Sequence, residues 1–227
     1  MSQLTYLMDE ICAGVEIYYT GRQGGQYLKT AFILCDDYTE LTSKLFLLKR
    51  NSSWSDTKPD GRFKNYHNIQ NDVKAQFAAG TAELAQVQAL HANMKARRDR
   101  RNDFFHSTHL LDLSVTPRNC VEAFLELLDY GELLFVSNWA TELKASRNLD
   151  SLAIFLRLEQ KSFSDPSVMY RVNDILREWK CNMQKLPSSR QGVKGVHVAM
   201  HPEDLHLRLC VIHGGRELRD KLSELLI

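Results

Sequence analysis

The sequence predicts a mainly α-helical protein, a bundle of four to five helices followed by a small C-terminal α/β extension that contains a β-hairpin. Three observations carry this expectation. Apolar residues recur three and four apart through most of residues 1–145. A proline-free stretch rich in Ala, Gln, Glu and Lys follows residue 68. Beyond residue 190 the pattern changes to short alternating segments.

The elements follow in order. Leu4, Leu7, Met8, Ile11, Val15 and Tyr18 share one face of a helix over residues 4–19, and the glycines at 21–25 end it. A stronger apolar pattern runs through Tyr27, Phe32, Ile33, Leu34, Leu41, Leu45, Phe46 and Leu48, with Asp36, Asp37 and Glu40 interrupting its middle. Residues 51–61 (NSSWSDTKPDG) have the composition of a loop. One long third helix is expected over residues 69–98, with Val73, Phe77, Leu84, Val87, Leu90 and Met94 as its apolar positions. Thr116 before Pro117 starts a fourth helix running to about residue 144. Residues 149–159 and 168–186 read as two more helices, and 187–195 as a linker. Residues 193–200 and 205–213 alternate as a hairpin, and 217–226 closes the chain as a helix. A bundle domain over 1–145 and an extension over 146–227 are the expected units.

Composition narrows the function. Twenty-nine basic residues against 28 acidic leave a formal net charge of +1, so nucleic-acid contact has to come from a local basic patch. The five cysteines are scattered and mostly apolar in setting, which fits reduced thiols and no disulfide framework. With no leader-like N-terminus and no apolar run near the roughly 18 residues of a membrane span, a cytoplasmic protein without membrane contact is expected. His197, His201, His206 and His213 gather near the expected hairpin but form no regular ligand set, so neither metal nor cofactor is expected.

The segment most suited to chemistry is KARRDRRNDFFHSTH, residues 95–109. Arginine offers a permanently charged fork for phosphate oxygens. Histidine exchanges protons near neutral pH. Side by side at a helix end they suit cleavage of a phosphodiester without metal, the imidazole activating a ribose 2′-hydroxyl and the guanidinium stabilising charge on phosphate. The spacing of Arg101 and His106 recurs at Arg62–His67 and Arg208–His213, but only the 101–106 pair has a polar residue after the arginine and a helix on either side.

Arg101-Asn102-Asp103-Phe104-Phe105-His106 resembles the signature of HEPN ribonucleases, which is an arginine, a polar residue, a short spacer and a histidine, late in a four- or five-helix bundle. The resemblance covers about residues 1–145. It implies a metal-independent endoribonuclease acting as a toxin or antiviral defence effector on RNA. It also implies a homodimer and an antitoxin or regulatory partner. Arg101 would clamp phosphate, His106 would be the acid–base and Asn102 would orient them. An acid on an early helix, Asp36, Asp37 or Glu40, would support them. Arg97, Arg98 and Arg100 are candidate RNA contacts; Arg98 and His109 match nothing in the motif. Two other readings stay open, a catalytically inactive HEPN-like binding or dimerisation module and a helical regulator that binds nucleic acid.

Overall fold

A computed structural model describes residues 2–21, 25–106, 114–136, 139, 141, 147–184 and 215–227. Eight α-helices are formed among them: α1 (Gln3–Gly21), α2 (Gly25–Arg50), α3 (Tyr66–Lys74), α4 (Ala82–His106), α5 (Pro117–Phe135), α6 (Arg147–Ser162), α7 (Ser167–Gln184) and α8 (Gly215–Ser223), with a 3₁₀ turn at Glu224–Leu226. The mainly helical expectation holds. The expected hairpin at 193–213, with its four histidines, lies outside the described residues.

Helix α2 is the centre of the packing. It lies against α1, α3, α4 and α5, while α6 packs on α1, α5 and α7. A helix covered on so many sides has to bury polar side chains as well as Phe32, Cys35 and Phe46. Three of them bond their own helix: the hydroxyls of Thr39, Thr42 and Ser43 donate to the carbonyls of Cys35, Tyr38 and Thr39, at 2.8, 2.7 and 3.0 Å. No such local partner exists for Asp36, which is 1% exposed.

The core continues past residue 145, where Leu149, Leu152 and Leu156 join the cluster that holds Met8, Ile11 and Phe124. The Tyr18 hydroxyl donates to buried Glu159 Oε1 at 2.6 Å, which ties α1 to α6.

Two boundaries differ from the sequence reading. The expected helix over 69–98 is two helices, because Gly80 takes a φ of 80° and Thr81 then opens α4, its hydroxyl accepting from the Leu84 amide at 3.3 Å. Helix α4 then continues through the charged run to His106. Helix α5 starts as expected, on a Thr116 cap with Pro117 in its first turn, but stops at Phe135 and not near 144, because Val136 has a φ of 47°.

Cys12, Cys35 and Cys120 are buried, and burial pushes the thiols of Cys35 and Cys120 up to about 12. No helix among the described residues is long and apolar enough to cross a membrane.

Gly131 of α5 lies directly beneath the Trp139 ring, and a methyl group there would overlap it. Because Trp139 is 1% exposed and has no room to swing away, Gly131→Ala is expected to cost about 1–3 kcal/mol, measured as a lower urea midpoint by tryptophan fluorescence.

Candidate functional site

The inward stripe of α4 changes character along its length. Val87, His91 and Met94 are buried at helical spacing, and the next positions on that stripe are Arg98 and Arg101. The α2 stretch that faces them is Asp36, Asp37 and Glu40. Of the three acids read from the sequence as a supporting group, Asp36 and Asp37 are therefore brought onto the motif arginine and Glu40 onto Arg98.

The geometry is specific. Arg101 Nη2 donates to Asp37 Oδ1 at 3.2 Å, and its Nε lies 3.8 Å from Asp36 Oδ2. Its Nη1 donates to Asn102 Oδ1 at 3.4 Å. Arg98 pairs with Glu40 Oε2 at 2.8 Å, lies 3.5 Å from Asp36 Oδ2, and stacks 4.2 Å over the Tyr66 ring. Asp36 thus sits between two guanidinium groups. Its Oδ2 makes no hydrogen bond to either, so the attraction is purely Coulombic. Burial raises the Asp36 carboxyl above its ordinary range, against the pull of Arg98 and Arg101.

The remaining site residues are placed as follows. Arg98, which matched nothing in the motif, is a full member of the cluster. Arg97, read as an RNA contact, is 8% exposed and pairs with Glu126 of α5 at 2.7 Å. Arg100 lies 6.0 Å over the Phe32 ring and donates to the Ser114 carbonyl. His106 is the last residue of α4, five residues or about 7.5 Å of helical rise beyond Arg101; its side chain and all of His109 lie outside the described residues. No group of three or more His, Cys, Asp or Glu that could hold a metal occurs among the described residues.

Sequence reading missed a second polar cluster beside the first. An open cavity of about 590 Å³ lies between α3 and α4, lined by Tyr66, Gln70 and His91 and by Arg98 and Asn102 of the arginine segment. His91 is 8% and Gln70 4% exposed. His91 Nε2 lies 3.0 Å from the Tyr130 hydroxyl, which lies 2.9 Å from Ser43 Oγ. The Ser43 hydroxyl also lies 3.0 Å from the Thr39 carbonyl, so His91, Tyr130 and Ser43 form one buried chain of polar contacts from α4 through α5 to α2. Burial, with Lys74 nearby adding, pushes His91 down to about 4, so the ring is neutral at pH 7.

Two measurements test these assignments. Arg97→Ala would remove the charge partner of Glu126, and since Glu126 is only partly buried and still accepts from Asn93 Nδ2 at 3.0 Å, the loss is expected at about 1–2 kcal/mol, below the roughly 3–5 kcal/mol of a fully buried pair; the urea midpoint reads it. For His91 the folded value lies below the unfolded one of 6.5, so its contribution is complete above pH 6.5 and lost as pH falls toward 4. That difference corresponds to about 3 kcal/mol between pH 7 and pH 4. It should appear as the excess pH dependence of wild type over His91→Gln in urea unfolding.

Comparison of the chain with family models, with curated proteins and with solved structures gives no match; a functional reading rests on the residues themselves.

Proposed function

We propose that this protein is a metal-independent endoribonuclease of the HEPN type, with α1, α2, α4 and α5 as the bundle, acting as a toxin or antiviral defence effector. The observation that carries the reading is the Arg101 guanidinium, aligned by Asp37 and Asn102 on a helix whose last residue is His106. Arg101 would hold the scissile phosphate and stabilise the charge that builds on it. His106 would take the proton of the ribose 2′-hydroxyl. The 2′-oxygen then bonds to phosphorus while the bond from phosphorus to the 5′-oxygen breaks, and that oxygen takes up a proton. The products are a 2′,3′-cyclic phosphate and a free 5′-hydroxyl. Two copies would bring their motifs together across a two-fold axis, and an antitoxin or other regulatory partner would restrain the toxin.

One observation favours a second reading, a catalytically silent HEPN-like module that binds or dimerises. Carboxylates already engage the Arg101 guanidinium, so a phosphate has to compete with Asp36 and Asp37 for it.

Cleavage of a mixed single-stranded RNA and tRNA substrate in excess EDTA separates the two. The nuclease reading expects products ending in 2′,3′-cyclic phosphate, reduced at least a hundredfold by both Arg101→Ala and His106→Ala. No cleavage by wild type supports the silent module, and equal cleavage by all three proteins removes the assignment.

A further inference from the structure

Helix α2 keeps one face turned outward although four helices pack on it. Tyr27, Leu34, Leu41 and Leu48 stand on that face at intervals of seven residues. Tyr27, Leu41 and Leu48 are exposed, while Leu34 is partly buried and packs on the core. Residues seven apart on a helix lie nearly on one line, so the stripe runs about 32 Å from Tyr27 to Leu48. Single apolar residues on a surface are ordinary, but a row of four along one helix marks a place where something binds.

The ground beside the stripe is negative. The Tyr38 ring lies against Gly14, which sets α1 alongside it. Helix α1 holds Asp9, Glu10 and Glu16 and no basic residue. On α2 the positions three beyond the stripe residues are Thr30, Asp37 and Lys44. Lys44 is the one base in this set, and Glu40 and Asp56 already hold it at 3.0 and 3.2 Å. Burial pushes the Tyr38 phenol up to about 12, and Glu10, Asp37 and Tyr6 add to the rise, so these three border the same spot. Exposed Tyr6 adds apolar surface there. Asp37 stands between Leu34 and Leu41, and its side chain is 47% exposed even with Arg101 on Oδ1. A second copy of the chain fits this face poorly, because a two-fold would lay acid against acid. A cationic partner suits it.

We infer that the outer face of α2 docks an amphipathic helix of another protein, one with an apolar residue at every seventh position and Lys or Arg beside them. Its apolar residues lie along Tyr27, Leu34, Leu41 and Leu48, and its cations meet Glu10 and Asp37. About six turns of helix match the length of the stripe. The apolar row supplies the affinity and the acids select the partner, as in other cases where a helix is read by anchors three, four and seven apart. The docked helix borders Arg101, since Asp37 touches both. The inference goes beyond the proposed nuclease and does not depend on it; the two copies proposed above meet on another face.

Fluorescence anisotropy of a labelled synthetic peptide with the full-length protein tests it. The probe is a four-heptad helix with leucine at the two core positions of each heptad, lysine at the positions flanking them and alanine elsewhere. Its counterpart carries glutamate in place of lysine. The lysine peptide is expected to bind at least tenfold more tightly than the glutamate peptide, and to weaken as salt rises. Leu41→Gln with Leu48→Gln leaves the charge unchanged and should lower its affinity at least tenfold. Tyr27→Gln should lower it at least threefold and serves if the double variant does not fold. Asp9→Lys with Glu10→Lys should remove the preference for the lysine peptide. Equal binding of the two peptides, binding of neither, or unchanged affinity in the folded variants overturns the inference. Sedimentation velocity of the protein alone tests the second copy: a dimer that Leu41→Gln with Leu48→Gln dissociates gives the face to that copy and also overturns it, whereas a monomer, or a dimer that survives both substitutions, supports it. Peptide binding without RNA cleavage would remove the nuclease and keep the docking face, and the converse would do the reverse.

Discussion

A carboxylate shut away from water needs positive charge close by, and in this protein that need falls on Asp36. Helix α2 is covered by four neighbours, so whatever stands at position 36 is enclosed. Leaving a buried carboxylate alone would cost several kcal/mol. The protein answers with Arg98 and Arg101, one helical turn apart on α4, and with flanking acids that occupy the outer edges of both guanidinium groups. The register of α4 on α2 follows: a slide of one turn would set Met94 against Asp36 and leave the arginines against apolar side chains. The orientation of Arg101, and with it the candidate phosphate clamp, is a by-product of satisfying one enclosed charge.

The same enclosure explains the second cluster. Ser43 and Thr39 lie farther along α2, and their hydroxyls turn back onto their own helix. Ser43 then meets the Tyr130 hydroxyl from α5 and accepts from the Gln70 amide of α3. Through Tyr130 the order reaches His91. Each of the two polar clusters begins with a polar residue that the central helix has to bury, and each draws in groups from the surrounding helices.

Much of this was legible in the chain. The stripes of α1, α2 and α5 are long and regular, and the Thr116–Pro117 start of α5 is a strong local signal. The acids Asp36, Asp37 and Glu40 stood out because they break an apolar pattern. The division between α3 and α4 was harder to read, since a single glycine with an ordinary hydroxyl cap separates two segments of the same composition. The role of Arg98 was hidden because it depends on a facing helix, and a run of four arginines does not say which of them turn inward. Arg97 turned to Glu126 for the same reason. The His91–Gln70 pairing was invisible for a different cause. Each residue taken singly looks like an unremarkable polar position, and only packing brings 70, 91 and 130 together.

The Tyr18–Glu159 bond joins positions 141 residues apart. During synthesis the first helix leaves the ribosome long before its partner exists. At roughly 5–20 residues per second the wait is on the order of ten seconds. Throughout that time the part of α1 that α6 later covers lacks its partner. A nascent chain with an apolar stripe uncovered for so long is a natural client for the chaperones that meet proteins at the exit tunnel, and completion of the bundle is a late event in the life of each molecule.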